Sequence, residues 1–246
     1  MTDKNRLFSE EKLEELSTGF RDLIIQALDA GDIERAKYWV ERSHEMRYVV
    51  HDSMVHALSI ALSNIYKRYG ENEAIQTTRD ALMGFVPDWA AAKKALIEEK
   101  GLEEGTRAWV EFVSDQWRKH FGRFTVTEDD EKIIFTHDPC GSGGRLVMSE
   151  LYEGPFGYAT IREPGPGNWG EEDVPIYCMH CSWAHEIIPI KIAGPGAQFW
   201  VHDSPCPRKP GDKCVHYIYK DPDKIPEKYY ERFGLKKNPP EKMPKV

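Results

Sequence analysis

Long apolar runs are missing from this sequence of 246 residues. No stretch approaches the roughly 18 consecutive apolar residues that a membrane-spanning helix needs, so we expect no membrane partner. The first residues, MTDKNRLFSEEKLEE, contain no apolar segment of the kind found in a secretory signal. The expected location is therefore the cytoplasm.

An excess of basic charge is also missing. Lys and Arg number 33 against 41 Asp and Glu, which gives a net charge of −8. Because binding to the phosphates of DNA or RNA needs a positive surface, we expect no nucleic-acid partner. Hydrophobic residues make up 40% of the chain, enough to bury a sizeable core. A homodimer is one option that the composition leaves open.

Cysteine is scarce, but four of the five cysteines fall into two close pairs. In a reducing cytosol such clusters indicate metal or catalytic sites rather than disulfides. Cys178 and Cys181 lie three residues apart at the predicted start of a helix, so both sulfurs face one side. Cys206 and Cys214 lie on a Pro- and Gly-rich loop between two predicted strands. Asp203 precedes this loop and could replace one thiolate.

These cysteine pairs predict a metal site. Zn²⁺ takes four tetrahedral ligands and binds thiolates well, whereas iron, which also suits tetrahedral thiolates, is kept as an alternative. Four protein ligands would make the site closed and structural. Three protein ligands and a water would make it catalytic.

The spacing of apolar residues changes at Gly122. Before it the spacing is helical; after it, the stretch from Phe124 to Phe135 alternates around a charged turn, as a β-hairpin does. We predict an α+β fold, in which a helical N-terminal part packs on an antiparallel sheet with a cysteine-bearing helix. The regions are residues 1–121 (helical), 122–221 (metal-binding) and 222–246 (surface tail), within one integrated domain.

Four further residues are candidates for catalysis. Cys140 lies in HDPCGSGGR, a turn that can expose a nucleophile and whose backbone N–H groups can bind an oxyanion. Arg145 could hold a substrate carboxylate by two contacts. His185, one helical turn after Cys181, is a metal ligand, a general base or a residue that orients a ligand. With His51 we expect them to converge on one pocket, although a plain glycine turn and structural histidines are the alternative interpretation.

The order of a helix cysteine, an acidic residue and two loop cysteines resembles the zinc-containing, small-molecule-binding domain of the vinyl-reductase type. The resemblance implies a zinc held by Cys178 or Cys181, Asp203, Cys206 and Cys214. In that superfamily the acidic ligand is usually Glu, whereas here it is Asp.

Most of the chain carries a second set of motifs: His51-Asp52, Tyr69-Gly70, Trp169-Gly170 and the segments 138–145 and 177–181. Together they resemble the L-2-amino-thiazoline-4-carboxylic acid hydrolase-like family. The resemblance implies a zinc-containing hydrolase that opens a small ring or cleaves a C–N bond of a small molecule. The alternative is a non-enzymatic sensor or carrier, which would bind a small hydrophobic or aromatic ligand and use zinc for structure. A redox or metal-delivery protein that uses the CxxC pair is a third interpretation.

Overall fold

The computed structural model describes residues 7–155, 157–204 and 206–237. The chain divides into two compact units, residues 1–53 and 54–246. The predicted α+β class is confirmed. Within the described residues, no helix has both the length and the apolar content needed to cross a membrane.

The first unit is helical where it is described. Its helices are α1 (Glu10–Ser17), α2 (Phe20–Asp29) and the N-terminal part of α3 (Ile33–Tyr69). The side chain of Ser9 accepts a hydrogen bond from the Lys12 amide and so caps the start of α1. Further along, the Phe20 and Trp39 rings pack with their centroids 6.2 Å apart.

The second unit contains the remainder of α3 and most of the other elements. Its further helices are α4 (Glu71–Leu82), α5 (Val86–Lys100), α6 (Leu102–Lys119), α7 (Gly143–Met148), α8 (Met179–Ser182), α9 (Ile188–Ala193) and α10 (Lys228–Glu231). The buried residues Thr106, Trp109, Val113 and Trp117 recur at helical spacing and form the inner face of α6. A Cβ atom at Gly105 would lie 2.8 Å from the Cα of Ile97, so the close approach of α5 and α6 requires glycine there.

The main sheet is antiparallel with strand order β1-β2-β6-β5. Its strands are β1 (Phe124–Glu128), β2 (Lys132–His137), β5 (Val201–Ser204) and β6 (Cys214–Tyr219), and a second small sheet pairs β3 (Thr160–Ile161) with β4 (Val174–Pro175). The hairpin predicted around residues 124–135 is confirmed by the pairing of β1 with β2. Cys214 lies opposite His137, and His216 lies opposite both Phe135 and His202. Because side chains alternate along a strand, these residues share one buried face.

The predicted cysteine-bearing helix runs through residues 176–193, which we call the cysteine helix. It joins a 3₁₀ turn (Ile176–Cys178), α8, a π-helical turn (Trp183–Ile187) and α9. Pro189 has no N–H to bond the His185 carbonyl one turn earlier, and the Phe199 N–H bonds that carbonyl instead, at 2.8 Å. The segment that leads into β5 is thereby fastened to the cysteine helix.

The C-terminal segment needs a correction where it is described. Residues 222–246 were expected to form a surface tail, but Ile225, Tyr229, Tyr230 and Phe233 are buried. These apolar side chains belong to the main hydrophobic core. This segment therefore contributes to the core of the second unit, and the part of the predicted tail after residue 237 lies outside the described residues.

Candidate metal centre and adjoining cavity

Three side chains from two elements form a group that could hold a metal ion. Cys181 and His185 lie four residues apart on the cysteine helix, and His202 comes from β5. One donor atom from each lies within 4.8 Å of the others. The i, i+4 spacing places the first two on one face of the helix, and the bond from Phe199 to the His185 carbonyl brings the start of the strand beside them.

The electrostatics of this group favour a cation. Burial lowers the pKa of His185 well below its ordinary value, so the ring is the neutral imidazole that metals bind. Burial raises the pKa of the Cys181 thiol well above its ordinary value, so a thiolate there needs a positive partner. The Nδ1 atom of His185 is buried without a hydrogen-bond partner among the described residues, as an atom that faces a ligand would be.

A buried carboxylate orients His202. Glu186 is fully buried and accepts hydrogen bonds from His202 Nδ1 at 2.7 Å and from Trp169 Nε1 at 2.8 Å. Arg232 pairs with the same carboxylate and donates to the His202 carbonyl at 2.7 Å. Although burial opposes ionisation, the charge of Arg232 and the bonds from His202 and Trp169 lower the pKa of Glu186. The group is therefore an ionised acceptor.

This carboxylate determines which nitrogen of His202 can act as a ligand. Because Glu186 only accepts, His202 carries its proton on Nδ1, and Nε2 keeps its lone pair. Consistent with that tautomer, the Trp200 indole N–H donates to Nε2 at 3.3 Å, and a metal ion bound at Nε2 would replace this hydrogen bond. A carboxylate behind a ligating imidazole is the usual way in which proteins orient histidine towards a metal.

A cavity of about 190 Å³ adjoins the group, with Cys181 and His185 in its wall. Its aromatic lining residues are Phe85, Trp89, Trp109, Phe112, Trp117, Tyr177, Phe199 and Trp200. Its polar residues include Cys140, His120, His180, Cys214 and His216. A small enclosure with aromatic walls and a few polar groups suits a flat ligand with polar atoms at one end.

His180, which the sequence places on the cysteine helix but away from the metal pair, lines the cavity. Its Nδ1 is hydrogen-bonded to the Tyr177 carbonyl, so Nδ1 is the protonated nitrogen and Nε2 is an acceptor. Nε2 lies 3.5 Å from the sulfur of Cys181. Burial lowers the pKa of His180, which keeps the ring neutral and able to take up a proton. Its position one residue before Cys181 was the only sequence signal available.

Cys140 lines the cavity, and its role as a nucleophile remains a prediction. Burial raises the pKa of the thiol, while the backbone N–H groups of Gly144, Ser142 and Gly143 act in the opposite direction. These donors therefore interact with the Cys140 sulfur rather than standing free for an oxyanion. A Cβ atom at Gly143 would lie 2.6 Å from the sulfur of Cys178, so the packing of this turn on the cysteine helix requires glycine.

The remaining predicted cysteine ligands are buried thiols near this centre. Cys178 interacts with Cys206 through a side-chain hydrogen bond. Cys214 lies 3.0 Å from Nε2 of His216. Within the described residues, only Cys181 of the predicted ligand set belongs to the group of three donors that could hold a metal. Zinc binding by the other cysteines remains a prediction. The donors that the structure brings together are a different set, Cys181, His185 and His202.

Asp203 lies apart from these cysteines. It is exposed on β5, at the point where the pairing with β6 shifts register between His202 and Ser204. Its carboxylate accepts hydrogen bonds from the hydroxyl of Tyr217 at 2.8 Å and from that of Tyr229 at 2.5 Å. Asp203 therefore joins β5 to β6 and the C-terminal segment, a structural role.

The last two predicted residues do not line the cavity. Arg145 is half-buried on α7 and is not among the described lining residues. His51 belongs to the first unit, where its Nδ1 lies 2.9 Å from the carboxylate of Asp52. Its convergence with Cys140 and His185 remains a prediction.

His137 supports a prediction about acid stability. Both ring nitrogens are buried without a hydrogen-bond partner among the described residues, and burial lowers the pKa of His137 to about 3. As the pH falls below about 6.5, the unfolded chain binds a proton that the folded chain does not. The free energy of unfolding then falls by about 1.4 kcal/mol per pH unit because of this residue. In metal-free protein, His137→Leu should therefore flatten the pH dependence measured by urea unfolding between about pH 6 and about pH 4. Equal slopes would contradict the prediction.

No family model, curated protein or solved structure matches the chain. The two family resemblances therefore remain expectations.

Proposed function

We propose that the protein is a Zn²⁺-dependent hydrolase that opens a small ring or cleaves a C–N bond of a flat substrate. The observation that supports this most is the group of Cys181, His185 and His202 beside an aromatic cavity. Three protein donors leave one tetrahedral position open, as catalytic zinc sites do. When bound, Zn²⁺ supplies a Lewis acid that polarises water or a substrate carbonyl.

The chain's own residues account for the other requirements of the reaction. The aromatic walls hold a planar ring and exclude bulk water. Nε2 of His180 is a neutral acceptor at the cavity wall, so it can take a proton from the attacking water. The water oxygen bonds to carbon, the C–N bond breaks, and its electron pair stays on nitrogen. His180 then returns the proton to that nitrogen.

The test is turnover by zinc-loaded protein. 2-Amino-thiazoline-4-carboxylate, the substrate class implied by the resemblance, is incubated with the protein. Mass spectrometry follows ring opening, which adds one water, and cleavage of the exocyclic C–N bond, which adds one water and releases ammonia. His180→Ala should lower kcat by about 10²- to 10⁴-fold without changing zinc content. His120→Ala is a matched control, because His120 lines the same cavity with Nδ1 bonded to Ser142 Oγ at 3.0 Å.

The apolar lining also supports a second candidate, a sensor or carrier for a small aromatic ligand. The same experiment separates the two functions. If the compound binds stoichiometrically to zinc-loaded protein but no hydrolysis is detected, the binding function is favoured and the catalytic proposal is contradicted. If turnover occurs and survives His180→Ala, the hydrolase stands but the role of His180 is wrong.

A further inference from the structure

A second cavity, of about 290 Å³, lies between α5, α6, the start of β5 and the end of β6. Its lining is largely apolar: Ala90, Ile97, Trp109, Phe199, Val201 and Ile218. It shares a wall of Trp109, Phe199 and Trp200 with the first cavity. None of the three candidate metal donors lines it. It is therefore a separate enclosure.

One amine enters this apolar space without a carboxylate partner. Lys93 is half-buried, and its Nζ donates a hydrogen bond to the backbone carbonyl of Gln198. Nζ also lies 5.6 Å from the centre of the Trp109 ring. No carboxylate forms an ion pair with Lys93 among the described residues, whereas its neighbour Lys94 pairs with Glu98 at 3.7 Å.

A second polar group in the wall is poorly satisfied. Gln198 is only 3% exposed, and neither atom of its side-chain amide has a partner at hydrogen-bond geometry among the described residues. It interacts electrostatically with the Tyr230 hydroxyl, but that contact does not meet hydrogen-bond geometry. A buried amide without such partners costs free energy unless a ligand or water supplies them. The cavity thus offers an ammonium donor and an amide inside aromatic walls.

We propose that this cavity is a binding site for a small aromatic carboxylate, which pairs with Lys93 and packs on Trp109 and Phe199. The ligand's carboxylate supplies the missing counter-charge for the ammonium group. Its ring fills apolar space that no side chain occupies. The Gln198 amide donates to the second carboxylate oxygen.

Burial lowers the pKa of Lys93 to about 7, so binding and protonation are linked. The other titratable groups facing the cavity are Lys94 and Glu98 on α5, and Tyr217 and Tyr219 on β6. Since an ammonium is needed to pair with the ligand, the affinity should be greatest below pH 7. It should fall by up to about tenfold per pH unit above that value.

Benzoate is the probe, titrated calorimetrically into wild-type protein with benzamide as the uncharged control. Benzoate should bind at least about tenfold more tightly than benzamide. The reason is that Lys93 donates a stronger hydrogen bond to a charged carboxylate than to a neutral amide oxygen. In buffers of different ionisation enthalpy at about pH 8, binding should take up nearly one proton. Because this proton uptake is measured on the wild type, it tests the proposal even if a variant fails to fold.

Lys93→Met should weaken benzoate binding by about tenfold or more and abolish the proton uptake. Lys100→Met, at the end of α5 and outside the cavity lining, makes the same side-chain substitution and should leave both unchanged. Three results would each overturn the proposal: no benzoate binding to the wild type, equal binding to Lys93→Met, or binding without proton uptake. None of them bears on the metal centre.

Discussion

Metal-free protein is expected to bind one Zn²⁺ per chain with the release of about one proton at pH 7. His185 and His202 are held neutral by burial, so they have no proton to lose. Only the Cys181 thiol, whose pKa burial raises, must ionise. The set of four thiolates expected from the cysteine pattern would release about four protons. Calorimetry in several buffers measures the difference directly.

Variants test the same distinction. His202→Ala should weaken zinc binding by more than about 100-fold, because it removes a ligand and not just a residue that orients one. The matched control is His216→Ala, which removes the buried histidine directly opposite on β6. Cys206→Ser should retain zinc. Loss of zinc in Cys206→Ser with retention in His202→Ala would contradict the three-donor site and favour the thiolate set. A parallel titration with ferrous iron tests which metal the site prefers.

Zinc should also raise the thermal stability of the second unit. A ligand that binds only the folded state adds about 2.7 kcal/mol at a free concentration of about 100 times Kd. His202→Ala should lose this increment while His216→Ala keeps it, even if both variants are less stable without metal. The comparison therefore separates metal binding from the packing of a buried histidine.

The sequence predicted elements that depend on local pattern. The hairpin of β1 and β2 follows from apolar alternation on either side of a charged turn, and the cysteine helix follows from apolar residues at helical spacing. His185 was among the candidates because it lies one helical turn after Cys181. These inferences needed no knowledge of distant contacts.

The candidate ligand from β5, His202, could not be predicted in the same way. Spacing from Cys206 pointed to Asp203, but Asp203 is exposed and the preceding His202 is buried, so an error of one residue selects the wrong side chain. The face itself is set by pairing with β6 and by the bond between Phe199 and the His185 carbonyl. Both are long-range effects of the fold. Arg232, 46 positions from Glu186 in the chain, was missed for the same reason.

Glu186→Gln is expected to reduce both stability and metal affinity. The change leaves Arg232, only 15% exposed, without its carboxylate, and breaking a buried pair in this way costs about 3–5 kcal/mol. Zinc affinity should fall by about 10- to 100-fold, since His202 loses the partner that keeps its proton on Nδ1.

The surface pair of Glu171 and Arg208, with each side chain 39% exposed, provides the control for that variant. Glu171→Gln should cost less than about 1 kcal/mol and leave zinc binding unchanged. The pKa of Glu186 is lowered in the folded chain, so its contribution is fully present above the unfolded value of about 4.5 and is lost as the pH falls through the folded value. Urea unfolding should therefore show a large difference between wild type and Glu186→Gln at pH 7 and a smaller one in acid. A constant difference at all pH values would mean that the Glu186 carboxylate is not ionised. Zinc affinity unchanged in Glu186→Gln would mean that His202 is oriented by its packing against Trp169 and Trp200 instead.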